Sequence, residues 1–249
     1  MNQNHILKFR KIDKFLIESL VHGHLYFAPP DKLNDPFDCK IDVVKSWKNA
    51  IAHSSGSAKE TLETIYVNPE FHELINQAEN EIKNYGVFSG SHRPALNSAM
   101  MWSHYADSHK GVCLIYAMPM NPKKFYKPNQ IKGIQNVKYG NNLLTEWIKE
   151  LPNKQDIHDK AFLELYKTKL TIKGTCWEYE DEVRMIRNIS GIVPIDKSYL
   201  QHVCFGLETA EDEIILIREI INKFNYNVGF SKIQRTEDDF VIKAIDIVF

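Results

Sequence analysis

The chain has 249 residues, 43% hydrophobic and 25% charged, and its 31 Lys and Arg against 32 Asp and Glu leave a formal net charge of -1. This excludes a disordered or collagen-like chain, and the near-neutral charge supplies no global field to draw in nucleic acid or an anionic membrane. The four cysteines Cys39, Cys113, Cys176 and Cys204 are far apart with no CxxC pair, the start Met1–His5 is polar, and apolar runs such as Ile214–Ile217 are short. A reduced, cytoplasmic protein without a membrane span is expected.

In chain order, Ile6–Ile12 reads as a short strand. Asp13 caps a helix over Lys14–Val21, with Phe15, Leu16, Leu20 and Val21 on one face, and Gly23 ends it. Leu25–Ala28 is a strand stopped by Pro29 and Pro30 ahead of a loop, 31–39. From Val44 to Asn84 the pattern turns helical and polar, with a soft break at Ser54–Ser57 and a helix start at Pro69, so a helical layer or insertion is expected over about 44–97. Ser98–Ala106 has helical spacing, Asp107–Lys110 is polar, and Gly111 offers a permissive backbone before the apolar strand Val112–Tyr116.

Further on, Ile134–Tyr139 predicts a strand and Asp156–Lys173 a helix whose buried stripe is Phe162, Leu163, Leu165, Tyr166 and Leu170. Glu182–Arg187 alternates, with Val183 and Met185 on one side and Glu182, Arg184 and Ile186 on the other. His202–Phe205 is a short apolar run, Thr209 caps a helix over Glu211–Phe224, and Val228–Gln234 with Phe240–Val248 reads as a hairpin. Helices interleaved with short strands predict one mixed α+β domain over residues 1–249.

Chemistry-bearing residues gather in three segments. In Asn34-Asp-Pro-Phe-Asp38 the economical reading is a turn, with Asn34 and Asp35 bonded to nearby backbone, Pro36 fixing φ and Phe37 plugging the core. Asp35 and Asp38 also suit a metal or the orientation of a histidine. Met101–Leu114 packs His104, His109 and Asp107 beside Trp102 and Tyr105 at a helix-to-strand junction, a place where several side chains can be aimed at one ligand. The plain reading is a helical His104 bonded to a carboxylate, a His109 capping a carbonyl, and aromatics that pack. Trp177–Arg184 carries Glu178, Glu180, Asp181 and Glu182 ahead of Arg184; surface ion pairing explains such a run, but crowded carboxylates also raise one another's pKa unless cations relieve them. If the segment is extended, Glu178, Glu180 and Glu182 point one way.

Between residues 117 and 140 lie Lys123, Lys124, Lys127, Lys132 and Lys138 with Phe125, Tyr126 and Tyr139 interleaved and no acidic residue. A solvated loop is the plain explanation; contact with nucleic acid or a protein target is the sharper one.

These three segments, with Leu7–Arg10, Leu25–Pro30 and Cys204–Leu207, resemble the bacterial domain of unknown function 2971, and the resemblance spans nearly the whole chain. Phe9 stands where that family usually has tyrosine and Val183 where it usually has tryptophan. The family is similar to abortive-infection proteins of phage defence, which implies a toxin-type effector with a phage or toxin partner. The opening strand and helix and the late Glu182–Ile186 strand are also similar in layout to the ADP-ribosyltransferase superfamily. That likeness implies NAD as co-substrate and no metal. It implies Glu182 as the carboxylate that stabilises an oxocarbenium-like sugar, with His104 assisting, Arg10 and Arg184 on phosphate or ribose, and Tyr26 or Tyr105 stacked on nicotinamide. Asn34, Asp35, Asp38, His109 and Glu180 would position the substrate. Two other expectations stand beside it. One is a metal-dependent nuclease or phosphohydrolase using Asp35, Asp38, His104, His109 and the acidic cluster; the other is a non-enzymatic sensor or antitoxin using the same cleft.

Overall fold

The computed structural model describes residues 3–119, 131–153, 160–237, 239 and 241–247. Its strands are β1 (Gln3–Arg10), β2 (His24–Phe27), β3 (Gly86–Ser91), β4 (Val112–Pro119), β5 (Ile131–Asn136), β6 (Lys138–Tyr139), β7 (Ile172–Lys173), β8 (Glu182–Arg187), β9 (Gly191–Pro194), β10 (Leu200–Phe205), β11 (Gly229–Arg235) and β12 (Ile242–Asp246). The helices are α1 (Lys14–His22), α2 (Val43–Ala52), α3 (Gly56–Val67), α4 (Pro69–Ile82), α5 (Ala99–Tyr105), α6 (Leu143–Lys149), α7 (Lys160–Lys169) and α8 (Glu211–Lys223). This is a single α+β domain, as the interleaved pattern predicts.

An eight-stranded sheet in the order β12-β11-β10-β4-β1-β3-β8-β5 forms the centre, antiparallel throughout except where β10 and β11 run parallel across α8. On one face, α1 and α8 bury Leu16, Leu20, Ile214, Ile217 and Ile221 against Ile6, Leu114, Val203 and Phe205. On the other, Trp102 and Met101 of α5 pack on Leu7, Phe9, Cys113 and Ile115, and a helical layer of α2, α3, α4, α6 and α7 closes over Ile186. Sheet and helices thus form layers with separate apolar cores on the two faces of the sheet.

Several local expectations hold for the reasons anticipated. The Asp13 side chain accepts from Leu16 N at 2.9 Å, and Gly23 closes α1 in the left-handed region at φ 63. Others need correction. Phe15 is 57% exposed, because the buried face of α1 is Leu16 and Leu20. The helices α2 to α4 end at Ile82, and the expected insertion to residue 97 contains the sheet strand β3; the glycines and serines of Gly86-Val-Phe-Ser-Gly-Ser91 disguise it. Ile172–Lys173, assigned by periodicity to the preceding helix, is a strand, and of that expected helix residues 156–159 lie outside the described residues. Thr209 caps nothing: its hydroxyl donates to the Gly111 carbonyl at 2.9 Å, and α8 starts at Glu211 with Ala210 at the N-cap position and no side-chain cap. Phe37 stands 79% exposed instead of filling the core.

Gly111 is required for a different reason than expected. Its φ is ordinary, whereas Asp107, Ser108 and His109 take the left-handed region at φ 48, 54 and 70. A Cβ on Gly111 would lie 2.2 Å from the Arg10 carbonyl oxygen, so the residue permits close approach of β4 to β1.

The pairing of β1 is lopsided. It matches β4 over eight residue pairs, Gln3↔Pro119 to Arg10↔Val112, but meets β3 at the single pair Leu7↔Ser91. Beyond that pair β3 leans away, and Val87 exchanges backbone hydrogen bonds with Ala28 instead. The sheet is therefore parted between β1 and β3, and a cleft passes through it.

Candidate functional site

The cleft has a volume of about 810 Å³, within the range of small-molecule sites. Cross-strand partners share a face. Ser91 pairs with both Leu7 and Glu182, putting Glu182 on the α5 side, whereas Lys8 pairs with Leu114 on the α1 side. Both line the cleft, because it opens through the parted sheet.

One wall is a buried ionic network. Arg184 of β8 is 0% exposed. Its Nε donates to Glu182 Oε1 at 2.7 Å and its Nη2 to Glu182 Oε2 at 2.9 Å and Asp38 Oδ2 at 2.6 Å. Its Nη1 donates to Asp38 Oδ1 at 2.9 Å and the Leu170 carbonyl at 2.8 Å. All five guanidinium donors are thereby used, the condition under which a charge can stand fully buried. Lys173, at the end of β7, donates to Glu180 Oε2 at 2.5 Å and Glu182 Oε2 at 3.3 Å, with Asp38 Oδ2 at 3.9 Å.

The two glutamates occupy different surroundings. Burial opposes ionisation of Glu182, but the Arg184 guanidinium and then Lys173 outweigh it and hold the carboxyl at about 2. Its oxygens accept from Arg184 twice and from Lys173, three of the roughly four lone-pair sites a carboxylate has. Glu180 accepts from Lys173 and from the Tyr105 hydroxyl at 2.5 Å, and burial lifts its pKa despite the lysine. It retains accepting capacity. Tyr105 in turn accepts from Asn34 Nδ2 at 2.9 Å, and burial followed by the Glu180 carboxylate pushes its hydroxyl pKa up. Asn34, Tyr105, Glu180 and Lys173 form one chain of hydrogen bonds from the loop to the sheet.

Many of the residues singled out from sequence converge here: Arg10, Tyr26, Asn34, Asp38, His104, Tyr105, Glu180 and Glu182 all line the cleft. His104 is exposed, its Nδ1 sharing a hydrogen bond of 2.8 Å with the Tyr179 hydroxyl rather than with a carboxylate. Three residues stand apart. Asp35 makes the expected turn, accepting from Phe37 N at 2.9 Å, and does not line the cleft. His109 lies off the cleft, with Nε2 3.1 Å from Ser103 Oγ. Arg184 lies behind the wall, holding carboxylates and not facing the opening. Glu178 is exposed, because Thr175–Glu180 is a 3-10 turn and Asp181 takes φ 44, so the segment is not extended and only Glu180 and Glu182 meet. Asp38 and Glu182, candidates for a metal, are neutralised by Arg184, and among the described residues no cluster of histidine, cysteine and carboxylate has the arrangement of a metal site.

Of the lysine-rich stretch, Lys123, Lys124, Phe125, Tyr126 and Lys127 lie outside the described residues, as does the side chain of Lys132. Tyr139 has a local task, its hydroxyl accepting from Glu182 N at 2.7 Å. Among the described residues no helix is long and apolar enough to cross a membrane.

Sequence reasoning missed Lys173 and Lys8. Lys173 was concealed in a helical pattern. Lys8 was hidden in Lys8-Phe-Arg10, whose alternation becomes informative only once the strand's faces are known. Searches of curated proteins and of solved structures each return no match. Residues 101–185, which carry α5, Tyr105, Lys173, Glu180, Glu182 and Arg184, match the family model described as Protein of unknown function (DUF2971).

Proposed function

We propose that the protein is an enzyme that transfers a glycosyl group from a dinucleotide of the NAD type, with Glu180 as the carboxylate that acts on the bond. The observation carrying this reading is geometric: Glu180 lines the cleft, oriented by Lys173 and Tyr105 and with accepting capacity left, beside a Glu182 that Arg184 holds through both oxygens. Both glutamates line the cleft, but Glu182, the residue favoured by layout, is held through both oxygens by Arg184 and again by Lys173, whereas Glu180 accepts two bonds and has two lone-pair sites to offer. In glycosyl transfer the carboxylate would orient a ribose hydroxyl and offset the positive charge that develops on the sugar. Lys173 and Tyr105 fix its orientation, so no reorganisation is needed as the charge appears. Tyr26, 54% exposed on the wall, offers a ring for a flat base.

A nuclease reading fares worse, because Asp38 and Glu182 would have to exchange a fully bonded guanidinium for a metal ion. Consumption of NAD would suit the toxin-type role in phage defence that the sequence resemblance implies.

The test is release of nicotinamide from NAD by purified protein. Wild type is expected to release it above a protein-free control, and Glu180→Gln, which can still accept from Tyr105 or Lys173, to fall by about 100-fold or more. Background release by wild type, or equal release by both, overturns the reading.

A further inference from the structure

Two lysines of the cleft are treated in opposite ways. Lys173 is surrounded by carboxylates. Lys8 makes no ion pair among the described residues; its ammonium donates to the Ser89 carbonyl at 2.6 Å, across the parting of β1 and β3, and lies 5.0 Å from the centre of the Phe88 ring. The carbonyl and the ring neutralise it only partly. Lys8 is half-buried on the cleft lining, so its charge has no carboxylate within the described residues yet can be reached by an anion from the cleft.

Arg10, two residues along the same strand, adds positive charge on the same side. Arg10 and Lys11 share one carboxylate, Asp13, at 3.8 and 3.6 Å, and Asp13 is also engaged in capping α1. Burial, and then Arg10, lower the Lys8 pKa to about 8 against the more distant pull of Glu182 and Glu180. The cleft is therefore divided, with negative charge compensated at the Glu180 wall and positive charge in excess at β1.

We infer that the β1 end of the cleft is an anion subsite in which Lys8 and Arg10 hold a phosphate of the nucleotide substrate. Phosphate fits better than a single carboxylate, since it offers more charge and more acceptor oxygens to two cations at i and i+2 on one strand face. The exposed side chains of Phe15, Tyr26 and Ile192, all on the cleft lining, give the nucleotide's base an apolar wall beside this end. The link to substrate turnover rests on the proposal for Glu180; the binding of phosphate does not.

Inorganic pyrophosphate, ADP, adenosine and succinate are the probes, followed by calorimetric titration at about 150 mM salt, where the screening length is ~8 Å. Pyrophosphate and ADP are expected to bind wild type, and adenosine and succinate at least tenfold more weakly. Lys8→Met, which keeps the apolar stem and removes the charge, should weaken ADP by about 10-fold or more, and Lys8→Arg should retain most of the affinity. Binding of pyrophosphate and ADP is read without turnover, so failure of the glycosyl-transfer reading leaves this subsite standing. Equal ADP affinity in Lys8→Met and wild type, succinate binding as tightly as pyrophosphate, or no binding of pyrophosphate and ADP at millimolar concentration would each overturn it. If Lys8→Met does not fold, Arg10→Met carries the same expectation and the same power to refute.

Discussion

The two walls of the cleft place lysines in an apolar setting by opposite means. At the β7–β8 wall, Lys173 and Arg184 are matched by Asp38, Glu180 and Glu182, and nearly every donor has an acceptor. At the β1 wall, Lys8 has a carbonyl and a ring but no carboxylate partner among the described residues. The difference teaches where to look for structure and where for binding: a satisfied network holds a shape, and an unsatisfied charge waits for a ligand.

The strongest way to break the comparison is to remove a cation from each wall. Arg184→Leu leaves Asp38 and Glu182 buried without their partner and should cost about 3–5 kcal/mol of stability in urea unfolding. Lys8→Met removes a charge that no carboxylate pairs among the described residues and gives up one hydrogen bond to a carbonyl, so it should cost no more than about 1 kcal/mol. Equal loss in both variants would mean that the two walls are alike.

Acid sharpens it next. The carboxyl of Glu182 has a folded-state pKa of about 2 against an ordinary 4.5. A carboxyl depressed on folding stabilises fully above the unfolded value, and that stability is lost as pH falls through 4.5 toward 2. Glu180 is shifted the other way, upward, so its contribution declines as pH rises from the unfolded value through the folded one. A midpoint that drops between pH 4.5 and 2 in wild type but not in Glu182→Gln is the expected result. The smallest effect is at Tyr105. Tyr105→Phe removes one hydrogen bond to Glu180 and leaves Asn34 without its partner, which should cost about 1 kcal/mol in the same unfolding measurement.

Much of the fold was legible because periodic burial and capping act locally: Asp13 and Gly23 delimit α1, Pro69 starts α4, and Glu182–Arg187 alternates as a strand. β3 was not legible, since a strand with Gly86, Ser89, Gly90 and Ser91 has little apolar alternation. Its Gly90 is there because a Cβ would lie 2.3 Å from Ile6 Cγ2, a constraint set by a neighbour 84 positions away. At the site, the Asn34 loop, the α5 segment and the acidic run were recognisable as concentrations of polar residues. Their division of labour was not, because Glu180 and Glu182 look equivalent until their partners are counted.

The sequence by itself determined most of the helices and strands, β3 and β7 excepted, and which three segments carry polar side chains, since caps, glycines and apolar spacing act over a few residues. Only the tertiary structure decided that β1 and β3 part after Leu7↔Ser91, that Arg184 faces inward to hold both oxygens of Glu182, and that Lys8 has no carboxylate partner among the described residues. Those outcomes depend on charges brought together from positions far apart in the chain, and Coulomb energies and lone-pair occupancy are set by distance in space.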